Sequence, residues 1–274
     1  MPSFFKGSRV LLHTVLIAAS LAMVVPFVWQ IITSLKTLSS ATAVPPTFLP
    51  EGHWANYGRV FDLLPFGTQF LNTVVMALAR TLGQVLFCSM AAYAFARLRF
   101  PFKRVLFGII LSVLMVPPQL FIIPQYQIMS DLGWLNSLQA LIVPGLFSAF
   151  GVFLLRQFFL SLPVELEEAA RIDGAGPLRV YWSIVLPLAR PGLVALAVLT
   201  LLWSWNDLFW PLVVNSDPDT MTLSAGLASL QGQFQTDYPV LMAGSLLASL
   251  PVIVVFVFLQ RQFIQGIAQT GIKG

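Results

Sequence analysis

The chain has 274 residues, of which 57% are hydrophobic and only 9% charged, with a formal net charge of +4. Soluble domains charge about a quarter of their positions, so this composition excludes a solvated globular protein and points to the membrane class. The charges are clumped: Arg9 to Lys36, Arg104 to Asp131, Asp131 to Arg156 and Asp237 to Arg261 each bracket an uncharged stretch. About 20 apolar residues suffice for a helix to cross the bilayer core. One cysteine, Cys88, and two histidines, His13 and His53, exclude an intrachain disulfide and a zinc-hydrolase ligand set.

Six spans are expected, giving an all-α membrane protein: Val10–Thr33, Gln69–Tyr93, Val105–Ile128, Leu138–Phe159, Gly192–Val214 and Pro239–Gln260. The first follows Lys6 and Arg9 and is too long for a signal-peptide core, so it is expected to remain as an anchor. The loop after it, Ser34–Thr68, holds Pro45, Pro46, Pro50 and Pro65 and should be largely extended. Within it Asn56–Phe61 has the look of a short interfacial helix, with Trp54 and Tyr57 at headgroup depth.

The second span carries Arg80, expected to be buried against protein, in a watery lumen or beside an acid of a partner; the alternative is that it snorkels to the interface. The third contains Pro117, Pro118 and Pro124. They must bend it and free carbonyls, which is tolerated only beside protein or a water-filled cavity. Gln119, Gln125 and Tyr126 on that span are therefore candidate pathway residues. In the fifth span Asn206 and Asp207 are polar groups at membrane depth and functional suspects by default. Trp203 and Trp205 beside them offer flat faces to a sugar ring. The alternative is that Trp205 and Trp210 belong to an interfacial belt.

Between the fourth and fifth spans lies Ser161–Pro191, the longest loop on its side. Pro163 suits a helix first turn, and Glu165, Glu167 and Glu168 favour the positive end of the helix dipole. Leu162, Leu166, Ala169 and Ile172 share one helical face. Gly174-Ala175-Gly176-Pro177 then stops that helix. A second helix places Leu178, Trp182, Val185 and Leu186 on one side and ends at Pro187. The small residues Ala169, Ala170 and Gly174 would let another protein's backbone approach closely. The last outer loop, Asn215–Tyr238, is acidic and rich in Gly and Gln.

Basic residues collect on cytoplasmic flanks. Lys6, Arg9, Arg97, Arg99, Lys103, Arg104, Arg156, Arg171, Arg179, Arg190, Arg261 and Lys273 fall on one side, against Lys36 and Arg59 on the other. Both termini and the Ser161–Pro191 loop are thus expected in the cytoplasm. The positive charge reads as topology and not as nucleic-acid binding.

Glu168-Ala169-Ala170, Gly174, Ile184 and Leu186-Pro187 stand at the spacing of the coupling motif of binding-protein-dependent ABC importer permeases. Gly176 and Tyr181 depart slightly from its usual Ser and Phe. The segment Ala91–Lys103, the Trp205-Asn206 and Trp210-Pro211-Leu212 run, and the ending Gln260–Gly274 resemble the smaller permease of maltose-type sugar transporters. Glycerol-phosphate permeases share much of the pattern. The resemblance implies a type I importer permease fold in the inner membrane of a bacterium or archaeon. It also implies a heterodimer with a second permease, two cytoplasmic ATPase subunits that bind ATP and Mg, and an external solute-binding protein. Glu168, Ala169, Ala170, Asp173, Gly174, Ile184, Leu186 and Pro187 would dock the ATPase, and the tail 263–274 would reach its dimer interface. On this view 1–68 is anchor and outer loop, 69–262 the permease core and 263–274 the tail.

No Gly-Lys pair exists in the chain, so a Walker phosphate loop is excluded. Leu223-Ser224-Ala225-Gly226, faintly like an ATPase signature, falls on the outer side. The expected activity is translocation of a sugar or oligosaccharide, or of a glycerol phosphate or polyol. A secondary transporter would need ionisable relays within the spans, where only Arg80 and Asp207 are candidates. A membrane enzyme would need a nucleophile with its base.

Overall fold

The computed structural model describes residues 3–232 and 236–271, with side chains from 11–232 and 236–258. Apart from one isolated bridge between Gln231 and Thr236, the described secondary structure is helical. Among the described residues four helices are long and apolar enough to cross a membrane, or up to six spans if each of two bent helix pairs is one span.

Helix α1 (Ser3–Ser34) contains Pro26, and its described side chains are exposed from Leu11 to Trp29. An apolar helix of this kind suits lipid or a protein neighbour. The following stretch is not wholly extended as expected, since Thr37 caps a short helical turn at Leu38–Ala41; then comes α2 (Ala55–Leu63), the expected short helix. Tyr57 there hydrogen-bonds Ser34 (2.9 Å), and Asn56 donates to the carbonyls of Ser34 and Lys36 at 2.9 and 2.8 Å.

Helix α3 (Phe66–Arg97) runs 32 residues without a proline, about 48 Å at 1.5 Å per residue. It extends one turn past the expected Tyr93. The third span is broken into α4 (Lys103–Val113) and α5 (Ile122–Asp131), bent by 97°. The cause is Pro117-Pro118: Pro118 cannot donate to a continuing helix and instead starts a 3-10 turn, Pro118–Phe121. The fourth span runs as α6 (Leu138–Ile142), a 3-10 turn at Val143–Gly145, and α7 (Ala149–Ser161).

Then follow α8 (Glu165–Ile172) and α9 (Pro177–Leu188), the latter containing a π turn at Tyr181–Val185. The expected fifth span is in two pieces, α10 (Arg190–Trp205) and α11 (Phe209–Val214), parted at Asn206–Leu208. Helix α12 (Leu223–Ser229) lies in the segment expected to be a loop, and α13 (Tyr238–Gly271) ends the described chain.

The chain forms two compact units. One joins the residues up to Phe66 with Leu227–Leu250; the other joins Gly67–Gly226 with the residues from Pro251 onward. In the first unit Val60, Lys36 and Ala243 are buried, and Arg59 and Asp237 pair at 2.9 Å. Among the described residues of the second are two apolar clusters. One gathers Tyr93, Leu155, Phe159, Tyr181, Val185 and Leu196. The other gathers Met76, Leu141, Trp210 and Val214.

Candidate functional site

The Ser161–Pro191 segment folds as a helix–turn–helix. Glu165, Glu167 and Glu168 occupy the first turn of α8, and Arg171 the last, each at the dipole end that favours its sign. The turn that ends α8 is a Schellman motif. Ala175 N–H donates to the Ala170 carbonyl (2.9 Å) and Gly174 N–H to the Arg171 carbonyl (3.0 Å). Gly174 adopts φ +82°, a left-handed conformation that only glycine takes cheaply. A Cβ there would meet nothing within 4 Å, so its requirement is conformational and not steric.

Helix α9 starts with Pro177 at its first position. The π turn at Tyr181–Val185 then adds a residue to the helical repeat. Its consequence is a rotated face. Leu178 and Trp182 are exposed as a pair, at 69% and 54%, while Val185 is fully buried. The single expected stripe of Leu178, Trp182, Val185 and Leu186 is therefore split. On α8, Leu166 and Ile172 are also exposed. The exposed surface of the segment therefore mixes these apolar side chains with Glu165, Glu168, Arg171, Asp173 and Arg179.

Its inner surface is held by α3. Glu167 is 1% exposed, and its Oε1 lies 2.6 Å from Arg97 Nε, a charge contact and not an aligned hydrogen bond. Arg97 Nη2 also donates to the Leu162 carbonyl at 2.8 Å. Tyr93 donates to the Pro177 carbonyl (3.2 Å), and the hydroxyls of Ser89 and Tyr181 meet at 2.7 Å. Sequence reasoning did not find these contacts, although Arg97 and Glu167 both lie in segments it singled out.

Of the other motif residues, Glu168, Ala169, Asp173, Gly174 and Pro187 are exposed. Asp173 is the C-cap of α8. Ala170, Ile184 and Leu186 are half-buried, and Ala170 and Leu186 pack on the Tyr181 cluster.

The residues named for a pathway are not gathered into one site. Gln119 lies in the 3-10 turn before α5 and Tyr126 on α5, both exposed. Trp203 is exposed and packs edge-on to Phe150. Asn206 caps its own helix by donating to the Leu202 carbonyl (2.8 Å). Asp207 pairs with Arg80 at 2.8 Å, and Arg80 Nε donates to the Leu141 carbonyl at 2.7 Å. Arg80 is thus buried against protein and finds its acid within this chain. Room for it comes from Gly145, where a Cβ would stand 2.5 Å from Arg80 Nε. Gln84 bridges the Gly145 carbonyl (2.9 Å) and the Thr200 hydroxyl (3.0 Å). Trp210, weighed as a belt residue, is buried and donates to the Ala140 carbonyl (2.9 Å).

Residues 84–269 match the family model described as "Binding-protein-dependent transport system inner membrane component". The chain is 36% identical over 274 residues to the sn-glycerol-3-phosphate transport system permease protein UgpE of Pectobacterium atrosepticum, covering 97% of this chain and 98% of that one. It is 35% identical, with the same coverage, to UgpE of Yersinia enterocolitica. Among solved structures it resembles a chain of a bacterial ABC transporter involved in import of the acidic polysaccharide alginate. That match has a TM-score of 0.83 and 25% identity, and covers 96% of this chain and 99% of that one. A chain of the MetNI methionine ABC transporter shares the fold with a TM-score of 0.59 and 20% identity, covering 77% and 97%.

Proposed function

The chain belongs to the binding-protein-dependent inner membrane transport components, and from that premise we propose that it carries a phosphorylated polyol of the sn-glycerol 3-phosphate type. It is a multi-pass inner membrane protein, the permease subunit of an ABC importer; ATP hydrolysis belongs to the partner ATPase. The observation that carries the choice of solute is the end-to-end similarity, 36% over 97% of the chain, to a permease named for sn-glycerol 3-phosphate.

A sugar or oligosaccharide is the second reading, favoured by the fold match to the alginate importer at a TM-score of 0.83. The membrane-depth charge of Arg80 is already engaged by Asp207. Attraction of an anionic solute therefore falls mainly to the binding protein and the second permease. The complex has this chain paired with a related permease, two ATPase subunits beneath them and an extracytoplasmic binding protein. Both termini face the cytoplasm, in keeping with the distribution of Lys and Arg.

The 161–191 hairpin docks the ATPase. Its exposed Leu166, Ile172, Leu178 and Trp182 form the apolar contact, and Glu168, Ala169 and Gly174 lie beside them on the exposed surface. ATP binding closes the ATPase pair, draws the hairpins together and opens the pathway outward; hydrolysis resets it. The test is uptake of radiolabelled sn-glycerol 3-phosphate by the complete complex in proteoliposomes. Uptake that needs ATP and binding protein, and that excess maltooligosaccharide leaves unchanged, is expected. Oligosaccharide uptake with no glycerol phosphate uptake would overturn the assignment.

A further inference from the structure

A hairpin moved by another protein has two mechanical routes into the membrane, and they differ in stiffness. One is covalent, from α9 into α10. That route passes the π turn at Tyr181–Val185, then Ala189 with non-helical ψ of 9°, and a 77° bend. Wider helical turns and breaks of this kind mark hinges. The other route is α3, which is continuous for 32 residues; α1 and α13, by contrast, contain Pro26 and Pro251.

The contacts of α3 are ordered along its length. At its foot Ser89, Tyr93 and Arg97 stand four residues apart on one face. They hold Tyr181, the Pro177 carbonyl, and Glu167 with the Leu162 carbonyl. Both limbs of the hairpin are thereby gripped. Half-way up, Arg80, Gln84 and Cys88 form a second row, against the carbonyls of Leu141, Gly145 and Ser148. At its head Gln69 and Asn72 donate to the carbonyls of Pro218, Asp219 and Met221, and Thr73 accepts from Leu223 N–H. Glycine 226 is pressed so closely on Gln69 that a Cβ would fall 1.9 Å from its Oε1.

We infer that Arg97 and Glu167 are a positioning pair that locks the hairpin to α3, making α3 the rod that carries hairpin movement to the 218–223 segment at its far end. Glu167 is a buried carboxylate with two cations beside it: Arg97 at 2.6 Å and, on its own helix, Arg171 at 3.7 Å. Arg171 belongs to the hairpin and cannot tie it to α3, so removing Arg97 takes away the nearer charge and the ionic grip of α3 fails. The two hydroxyl contacts at Ser89 and Tyr93 are neutral hydrogen bonds, each weaker than one to a charged group. The Arg97 pair therefore dominates the clamp. The inference rests on the hairpin being the ATPase dock.

The experiment uses the full complex of this chain, its partner permease and the ATPase, with environment-sensitive fluorophores at Leu71→Cys on the head of α3 and at Ser161→Cys beside the hairpin. Both native positions are exposed, whereas Cys88 is buried. The readout is the fluorescence change between nucleotide-free and ATP–vanadate states, so no solute is needed. In the parent both probes respond. In Arg97→Ala the Ser161→Cys response persists with the ATPase still co-purifying, while the Leu71→Cys response falls about fivefold or more, as expected when a coupling is removed. Arg97→Lys, which keeps the charge, restores at least half of it. Should Arg97→Ala fail to assemble, Glu167→Gln must give the same selective loss. A Leu71→Cys response that survives both variants, or that is absent from the parent with ATPase bound, overturns the rod. Loss of both responses together in either variant overturns it equally. A parent complex that binds no ATPase fails earlier and overturns the docking reading itself.

Discussion

Lys36 in one unit and Arg80 in the other are both nearly sealed from solvent, at 1% and 7% exposure, and the two are satisfied by different means. Lys36 Nζ donates to the Thr47 carbonyl and lies 5.0 Å over the Trp29 ring. Arg80 donates to the Leu141 carbonyl and pairs with the Asp207 carboxylate. The first arrangement meets an ammonium with a carbonyl dipole and a ring quadrupole, from segments close in sequence, and Glu51 adds only a lesser attraction. The second spends a formal negative charge from 127 positions away. A carbonyl and a ring can be removed with partial loss. Removal of a carboxylate strands a full charge in low dielectric.

The largest expected effect follows from that asymmetry. Asp207→Ala should lower stability by roughly 3 kcal/mol, towards the low end for breaking a buried pair because Asp207 retains some exposure. Thermal unfolding of the purified protein in detergent measures it. The double variant Arg80→Met, Asp207→Ala should recover most of the loss, since no charge is then stranded. If the single variant unfolds with the parent, Arg80 is not held by Asp207 and the contrast with Lys36 disappears.

A smaller effect is expected at Lys36. Trp29→Leu keeps an apolar side chain but removes the ring beneath the ammonium and the edge contact with Phe48 at 5.6 Å. The loss should be about 1–2 kcal/mol, the range of a desolvated cation–π contact. The diagnostic is the cycle with Lys36→Met: Trp29→Leu should cost clearly less when residue 36 carries no charge. Equal costs in both backgrounds would mean that Trp29 acts by packing alone.

The two cations also mark what the sequence could and could not reveal. Long uncharged stretches fixed the apolar spans, and Pro117-Pro118 made the bend at α4 and α5 foreseeable, because proline withdraws a donor wherever it stands. Gly174 was legible as a helix stop for the same local reason. The Arg80–Asp207 pair was not, since nothing near either residue names the other. Asn206 and Asp207 stood out as polar groups at membrane depth, but not as the point where the span parts into two helices. The short helix at Leu223–Ser229 was hidden in a segment judged by its acids, glycines and glutamines. Its stability comes from burial of Leu223, Ala225 and Leu227 and not from local propensity. The grip of α3 on the hairpin was likewise tertiary: Arg97 and Glu167 read locally as a topology marker and a first-turn acid.

The smallest expected effect lies beside Lys36, at Glu51. Its carboxylate accepts from the Thr37 amide (2.9 Å) and the Thr37 hydroxyl (3.0 Å). Hydrogen bonds from Ser40 and Thr37, with a lesser attraction from Lys36, hold its carboxyl below the ordinary value of 4.5. A depressed folded value means that the charged form is the one the fold favours. Its contribution is complete above the ordinary carboxyl value and is lost as pH falls through the lower, folded one. Glu51 is exposed, so water screens the gain and the signal is local. Exchange protection of the Thr37 amide should decline on acidification through that range and not on alkalinisation from neutrality. In Glu51→Gln, which cannot titrate, the acid-dependent decline should vanish. A decline that persists unchanged in that variant would assign the acid sensitivity to another group, and would leave the Lys36 region held by its carbonyl and ring alone.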